Sequence, residues 1–204
     1  MEILTVCPYS FGANTYIVLS GSHALVIDPA VSVERITEAL KERGASLEGI
    51  LLTHGHFDHT VALDTLRRAT GIFSYVHARD AHMLTDGRTN GYFAFFGRES
   101  KYAPAEKLLA DGDYIPLGDK GLRVIHTPGH TGGSVCFLAD SFIVTGDTLF
   151  ANTIGRTDLD GGSDEEIKAS LMRLREFDAS LTIYPGHGEP ARLGDALDNS
   201  AYYL

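Results

Sequence analysis

The run His54-Gly55-His56-Phe57-Asp58-His59 places three imidazoles and a carboxylate within six residues. These are the side chains that zinc and related divalent ions take as ligands. Spacing at i, i+2, i+4 and i+5 puts the four groups on more than one side of a loop, which suits two adjacent ions better than one. The run follows directly on the apolar stretch Gly49-Ile50-Leu51-Leu52-Thr53.

The same juxtaposition recurs three more times. Val124-Ile125 leads into His126-Thr127-Pro128-Gly129-His130, Phe142-Ile143-Val144 into Gly146-Asp147, and Thr182-Ile183-Tyr184 into Pro185-Gly186-His187-Gly188. If those strands lie side by side, their C-terminal ends converge on one edge, where ligand sites form in such sheets. The glycines and prolines supply tight turns that fix the side chains. Seven candidate metal ligands result: His54, His56, Asp58, His59, His130, Asp147 and His187. Two ions a few ångströms apart need about three protein ligands each plus a shared one, and an aspartate can bridge. Open positions would remain for water and substrate, as in catalytic sites.

The elements that must carry these residues are short. Apolar runs predict strands over 3–6, 15–19, 24–27, 49–52, 73–76, 122–125, 134–138, 142–144 and 181–183. Helical periodicity appears from Ser32 through Arg43 with Gly44 beyond, from about His59 to Ala69 before Gly71, and after Ser163. There Ser163-Asp164-Glu165-Glu166 reads as a capping box, so the two glutamates need no role beyond the helix N-terminus. Two β-rich halves with interspersed helices predict an α/β or α+β sandwich in one domain spanning 1–204. The segment 86–102 carries Tyr92, Phe93, Phe95, Phe96 and Tyr102 among glycines. It is expected to be an irregular loop or short helix forming a satellite core, the alternative being a lid over the substrate.

Composition narrows the function classes. The chain has 204 residues, 44% of them hydrophobic, and a net charge of -10. Phosphate-backbone binding needs a basic face, so no nucleic-acid partner is expected. An anionic small molecule is compatible, because bound dications and one local arginine reverse the field inside a site. The two cysteines, Cys7 and Cys136, read as buried free thiols. With no basic and apolar leader and no stretch of membrane-spanning length, no membrane is expected and a cytoplasmic protein is the default.

These motifs carry a family resemblance. Thr-His-Gly-His-Phe-Asp-His at 53–59, Thr-Pro-Gly-His-Thr at 127–131, Thr-Gly-Asp-Thr-Leu-Phe at 145–150 and Pro-Gly-His-Gly at 185–188 resemble the metallo-β-lactamase superfamily, as do Asn14-Thr15-Tyr16 and Val26-Ile27-Asp28-Pro29. The resemblance implies a four-layer αββα sandwich. Within the superfamily the chain resembles short, single-domain type II glyoxalases, hydrolases of hydroxyacylglutathione. That likeness implies that His54, His56 and His130 hold one ion, that Asp58, His59 and His187 hold the second, and that Asp147 bridges. It implies a bridging hydroxide as nucleophile, oriented by Asp58, and thioesters such as S-lactoylglutathione as substrates. Zinc is the expected metal, with iron or manganese as alternatives. The bridging aspartate argues against β-lactamases, and His56 against flavodiiron proteins, which carry Glu there. Arg156, in Gly155-Arg156-Thr157-Asp158-Leu159, resembles the stretch that grips the glutathione carboxylate, with a loop ion pair as its plainer reading. The chain ends soon after His187, so the C-terminal helical domain of larger glyoxalases is not expected. Persulfide dioxygenases also resemble this segment and would use one iron at His54, His130 and Asp147. Hydrolysis of another ester or lactone is a third alternative.

Four other histidines and one aspartate need separate readings. His23, His77 and His82 lack ligand spacing and are expected at the surface or as satisfied core residues. His126 is expected to be structural, or at most to support a metal ligand from behind. Asp28 is expected either to form a turn or to hydrogen-bond a metal ligand.

Overall fold

The structure, a computed structural model, describes residues 1–6 and 12–203, so the thiol expected at Cys7 lies outside the described residues. One sheet holds β1 (Glu2–Val6), β2 (Thr15–Ser20), β3 (His23–Ile27), β4 (Ser46–Leu51), β5 (Ser74–His77) and β6 (Lys107–Leu109), in that spatial order. The other holds β7 (Tyr114–Leu117), β8 (Lys120–His126), β9 (Val135–Leu138), β10 (Phe142–Gly146), β11 (Thr182–Pro185) and β12 (Ala191–Arg192), also in sequence order. The helices are α1 (Val33–Glu42), α2 (Leu63–Thr70), α3 (Ala81–Thr85), α4 (Tyr92–Phe96), α5 (Asp164–Leu174) and α6 (Leu193–Asn199).

Side-chain alternation sorts these elements into four layers. Along β2, Tyr16 and Val18 join Leu25, Ile27 and Leu51 against Val124, Phe137 and Val144 of the second sheet. The intervening Ile17 and Leu19 point the other way, to Ile36 and Leu40 of α1 and Leu63 and Leu66 of α2. The far face of the second sheet packs Ile125, Cys136, Ile143 and Ile183 on Leu171 and Leu174 of α5 and Leu193 and Leu197 of α6. All six residues of β2 are buried, because both faces of this strand are covered. The order helix, sheet, sheet, helix is the expected αββα sandwich.

The ligand-bearing strands are not side by side in one sheet. β4 belongs to the first sheet and β8, β10 and β11 to the second, with β9 between β8 and β10. Convergence is achieved across the sandwich instead: β10 and β11 are parallel, and the Val135 N–H bonds the Thr53 carbonyl at 2.8 Å, stitching the two sheets at the end where the loops emerge. The helix expected from His59 begins only at Leu63. Residues 57–59 form a separate 3-10 turn, which keeps Asp58 and His59 in the loop, while Gly71 (φ 71) ends α2 as expected. Ser163 caps α5 by accepting the Glu166 N–H at 3.2 Å, but only this half of the capping box forms. The Ser163 N–H goes to Gly129 O, and the Glu166 carboxylate pairs with Arg79. Periodicity did not mark β6, β7 or β12, which are short edge elements; β7 contains Pro116, tolerated at a sheet edge.

Candidate metal centre

All seven expected ligands meet at one end of the sandwich. His54 Nε2 lies 3.0 Å and His130 Nε2 2.9 Å from His56 Nδ1, and the three rings stand nearly perpendicular in pairs. A second group joins Asp58, His59 and His187, and a third joins His54, His59 and Asp147. Asp147 sits between the groups. Its Oδ1 is 3.3 Å from His59 Nε2, and its Oδ2 is 3.6 Å from both His130 Nε2 and His187 Nε2. His187 Nε2 lies 3.2 Å from Asp58 Oδ2.

The hydrogen bonds behind the rings decide what the front nitrogens offer. The Arg156 carbonyl can only accept, so His130 Nδ1–H donates to it at 2.7 Å, which leaves Nε2 as the nitrogen that can offer a lone pair to an ion. Thr53 gives its hydroxyl proton to Asp28 Oδ2 at 2.7 Å and so accepts from His54 Nδ1–H at 3.0 Å. His54 Nε2 therefore also presents a lone pair. Burial and the neighbouring histidines push His54 well below the usual imidazole range and His56 down to about 3. Two lone pairs thus converge with the Nδ1 of a buried neutral ring, which neighbouring imidazoles cannot satisfy among themselves. His59 Nε2 and Asp147 Oδ1 are likewise buried without an aligned hydrogen-bond partner among the described residues. Convergent, preoriented lone pairs and orphaned polar atoms fit a divalent cation.

Charge is segregated around this frame. Burial alone would lower His59, but Asp147, Asp28 and Asp58 raise it well above the usual range. Burial works to raise the Asp147 carboxyl, yet His59, His130 and His187 hold it far below the ordinary carboxylate range. Both expected roles of Asp28 are realised. It turns the chain with a left-handed backbone (φ 51), and it accepts the Thr53 N–H at 2.8 Å and the His59 Nδ1–H at 2.8 Å. The other histidines behave as expected for structural residues. His23 pairs with Glu48, His82 approaches Asp160, and His126 stacks on His77 and donates Nε2–H to Gly132 O at 3.0 Å. Cys136 is a buried free thiol, its pKa pushed up by burial to about 11.

The sequence reading gave no role to two side chains that hold the ligand loops. Asp80 accepts from the Gly55 N–H (3.0 Å), the Thr131 hydroxyl (2.6 Å) and the Gly133 N–H (2.6 Å), tying the His54–His56 loop to the His130 loop. Asn14 donates Nδ2–H to the carbonyls of Pro185 (3.1 Å) and Gly188 (2.9 Å), gripping the His187 turn from both sides. The match at Asn14-Thr15-Tyr16 was the available signal. Replacing Asn14 with Ala is expected to cost about 1 kcal/mol and to loosen a metal held at Asp58, His59 and His187 roughly tenfold. Chelator competition and urea unfolding measure the two effects.

A pocket of about 740 Å3 opens over these groups, lined by His56, Asp58, His130, Asp147 and His187 and by Phe57, Phe95, Phe96, Arg156 and Leu159. Within the aromatic segment, Tyr102 packs against the core as the satellite reading expected, while Phe95 and Phe96 line the pocket instead. The short helix α4 leaves Phe93, Phe95 and Phe96 largely exposed, because five residues between two left-handed glycines cannot reach the core. Arg156 reaches the pocket as expected, but Nε and Nη2 are each bonded to Asp158 at 2.7 Å and the guanidinium carbon lies 5.8 Å from the Phe95 ring.

Comparison with known proteins agrees with this architecture. A probable metallo-hydrolase of Bacillus subtilis, YqgX, is 35% identical over 179 residues, covering 86% of this chain and 85% of that protein. A solved B3 metallo-beta-lactamase, BLEG-1, superposes with a TM-score of 0.91 over 100% of both chains at 31% identity. TTHA1623, solved in a di-iron-bound form, superposes with a TM-score of 0.85 over 99% of this chain and 100% of that one at 29% identity. The model of the metallo-beta-lactamase superfamily matches residues 9–187, and the chain belongs to that superfamily.

Proposed function

We propose that this member of a metallo-hydrolase family hydrolyses thioesters of the S-lactoylglutathione type with two divalent ions. The observation that carries the reading is the position of Asp147, whose two oxygens address His59 on one side and His130 and His187 on the other. His54, His56 and His130 would hold one ion and Asp58, His59 and His187 the other, with Asp147 shared. Ions so held would supply acidity to a water and polarise a carbonyl. Zinc is the proposed metal. The di-iron form of TTHA1623 keeps iron open, and the donor set also suits manganese.

The chain's own residues then do the rest. Burial raises the Asp58 carboxyl, but His59 and His187 overcome it and hold the group ionised, so it can orient a water and take its proton. His59 cannot swing away, because Asp28 holds its Nδ1. Asp158 occupies two of the Arg156 nitrogens, which leaves Nη1 to meet a substrate anion. The Thr127, Thr148 and Cys136 side chains bond one another beneath the floor of the site and do not form a nucleophile triad.

Metal analysis with a substrate panel tests the reading. Two ions per chain, thioester turnover and no oxygen uptake on glutathione persulfide are expected. A single iron with oxygen consumption would establish the dioxygenase alternative instead. β-Lactams and lactones belong in the panel, because BLEG-1, a B3 metallo-beta-lactamase, is 31% identical to this chain. Replacing Asp58 with Asn is expected to slow the metal-replete protein about a hundredfold. Unchanged turnover would remove Asp58 from the chemistry.

A further inference from the structure

One wall of the pocket is aromatic and already rigid. Phe95 and Phe96 are 57% and 56% exposed, a costly arrangement for neighbouring large apolar groups. Both rings pack on Phe57 of the ligand run, with centroids 5.9 and 5.7 Å away. The segment is pinned to that run by the Phe57 N–H, which donates to the carbonyl of fully buried Asn90 at 3.0 Å, while Asn90 Oδ1 accepts the Tyr92 N–H at 3.1 Å. Gly91 starts the helix in a left-handed backbone (φ 82), a conformation that favours glycine, beside the ring of His56. Leu159 adds a further apolar surface, and Asp158 engages the Nε and Nη2 of Arg156 beside Phe95.

We infer that the substrate carries an apolar group of several carbons beside its scissile bond, seated on Phe57, Phe95, Phe96 and Leu159. This rests on the hydrolase reading and sharpens its substrate class. The lactoyl and glutathionyl halves of S-lactoylglutathione are both polar and match these exposed rings poorly, whereas an alkyl or aryl chain covers them. The apolar chain can belong to the acyl half or to the leaving thiol, and the two arms of the test separate these.

One arm uses N-acetylcysteamine thioesters of lengthening straight-chain acids; the other uses acetyl thioesters of lengthening alkane thiols. In one arm kcat/KM is expected to rise roughly two- to fourfold per methylene until the wall is covered. The double variant Phe95→Ala/Phe96→Ala should reduce that factor to near one. Both side chains are exposed, so the variant should fold, which circular dichroism checks. Calorimetric titration with straight-chain carboxylates reads the same slope without turnover. Thioester hydrolysis with no length dependence in either arm would overturn the inference and leave the hydrolase reading standing. Acids that bind with the expected slope, with no thioester cleaved, would leave the apolar site standing and remove the hydrolase reading. A flat profile with a dimer that the double variant dissociates would assign the wall to a second copy of the chain and overturn the inference.

Discussion

Replacing Asp147 with Ala should lower kcat/KM at least about a thousandfold, or roughly 4 kcal/mol of transition-state stabilisation. Residues that merely orient metal ligands are worth ten- to a hundredfold, and Asp147 is the carboxylate that faces both groups of imidazoles. Metal content should fall from the proposed two ions per chain to one or fewer. Gly186→Ala supplies an independent route to the same result. A Cβ at Gly186 would stand 2.0 Å from Asp147 Oδ1 and 2.6 Å from His59 Cε1. Gly186 does not require a left-handed backbone, so the alanine fails for lack of space at the centre and not through strain in the turn. Metal analysis by emission spectroscopy and turnover of a thioester check both variants. An Asp147→Ala protein that keeps two ions and activity within tenfold of the parent would remove the bridging role.

Which parts of this centre were legible follows from where the information sits. His54, His56, Asp58 and His59 announce themselves because ligand, spacing and preceding apolar strand are contiguous. His130, Asp147 and His187 follow from repeating that junction, each with a glycine beside it. What spacing does not encode is which sheet a strand joins. The apolar runs of β4 and β10 look alike, yet they lie in different sheets, and contacts across the sandwich, among them Thr53 O with Val135 N, bring their loops together. The aromatic segment misled for a related reason. Phenylalanines at 93, 95 and 96 satisfy a core pattern, but two flanking left-handed glycines confine them to a helix too short to be buried. Arg156 shows the converse. Its neighbour Asp158, two residues on, was visible, and the plainer reading as an ion pair is realised alongside its place in the pocket.

Asp80 escaped notice because none of its partners is near it in sequence: Gly55 is 25 residues away, Thr131 51 and Gly133 53. Topology brings them together. β5 runs parallel to β4, with Leu51 opposite Tyr75, so whatever follows β5 lands beside the loop that follows β4. The two glycines leave room for this, since a Cβ at Gly133 would meet Asp80 Cγ at 2.6 Å and one at Gly55 would meet Met83 Cβ at 2.7 Å. Burial pushes the Asp80 carboxyl up, while the Thr131 hydroxyl and the Gly55 and Gly133 N–H groups pull it back. Asp80→Ala relieves that burial cost but strands three donors, each worth about 1–3 kcal/mol when left unsatisfied. The donors win on count, and a net loss of about 3 kcal/mol is expected, a large share of the roughly 5–15 kcal/mol of a domain. Asp80→Asn keeps one acceptor for Gly55 and Thr131 but turns its amide toward the Gly133 N–H, so about half that loss is expected. Stability alone would not distinguish a positioning residue from a structural one. Metal affinity does: binding of the ion proposed at His54, His56 and His130 should weaken ten- to a hundredfold in Asp80→Ala, with partial rescue in Asp80→Asn. An ion at Asp58, His59 and His187, a set positioned by Asp28 and Asn14, should change much less. Stepwise chelation followed by metal analysis separates the two ions, and equal weakening of both would reduce Asp80 to a folding role.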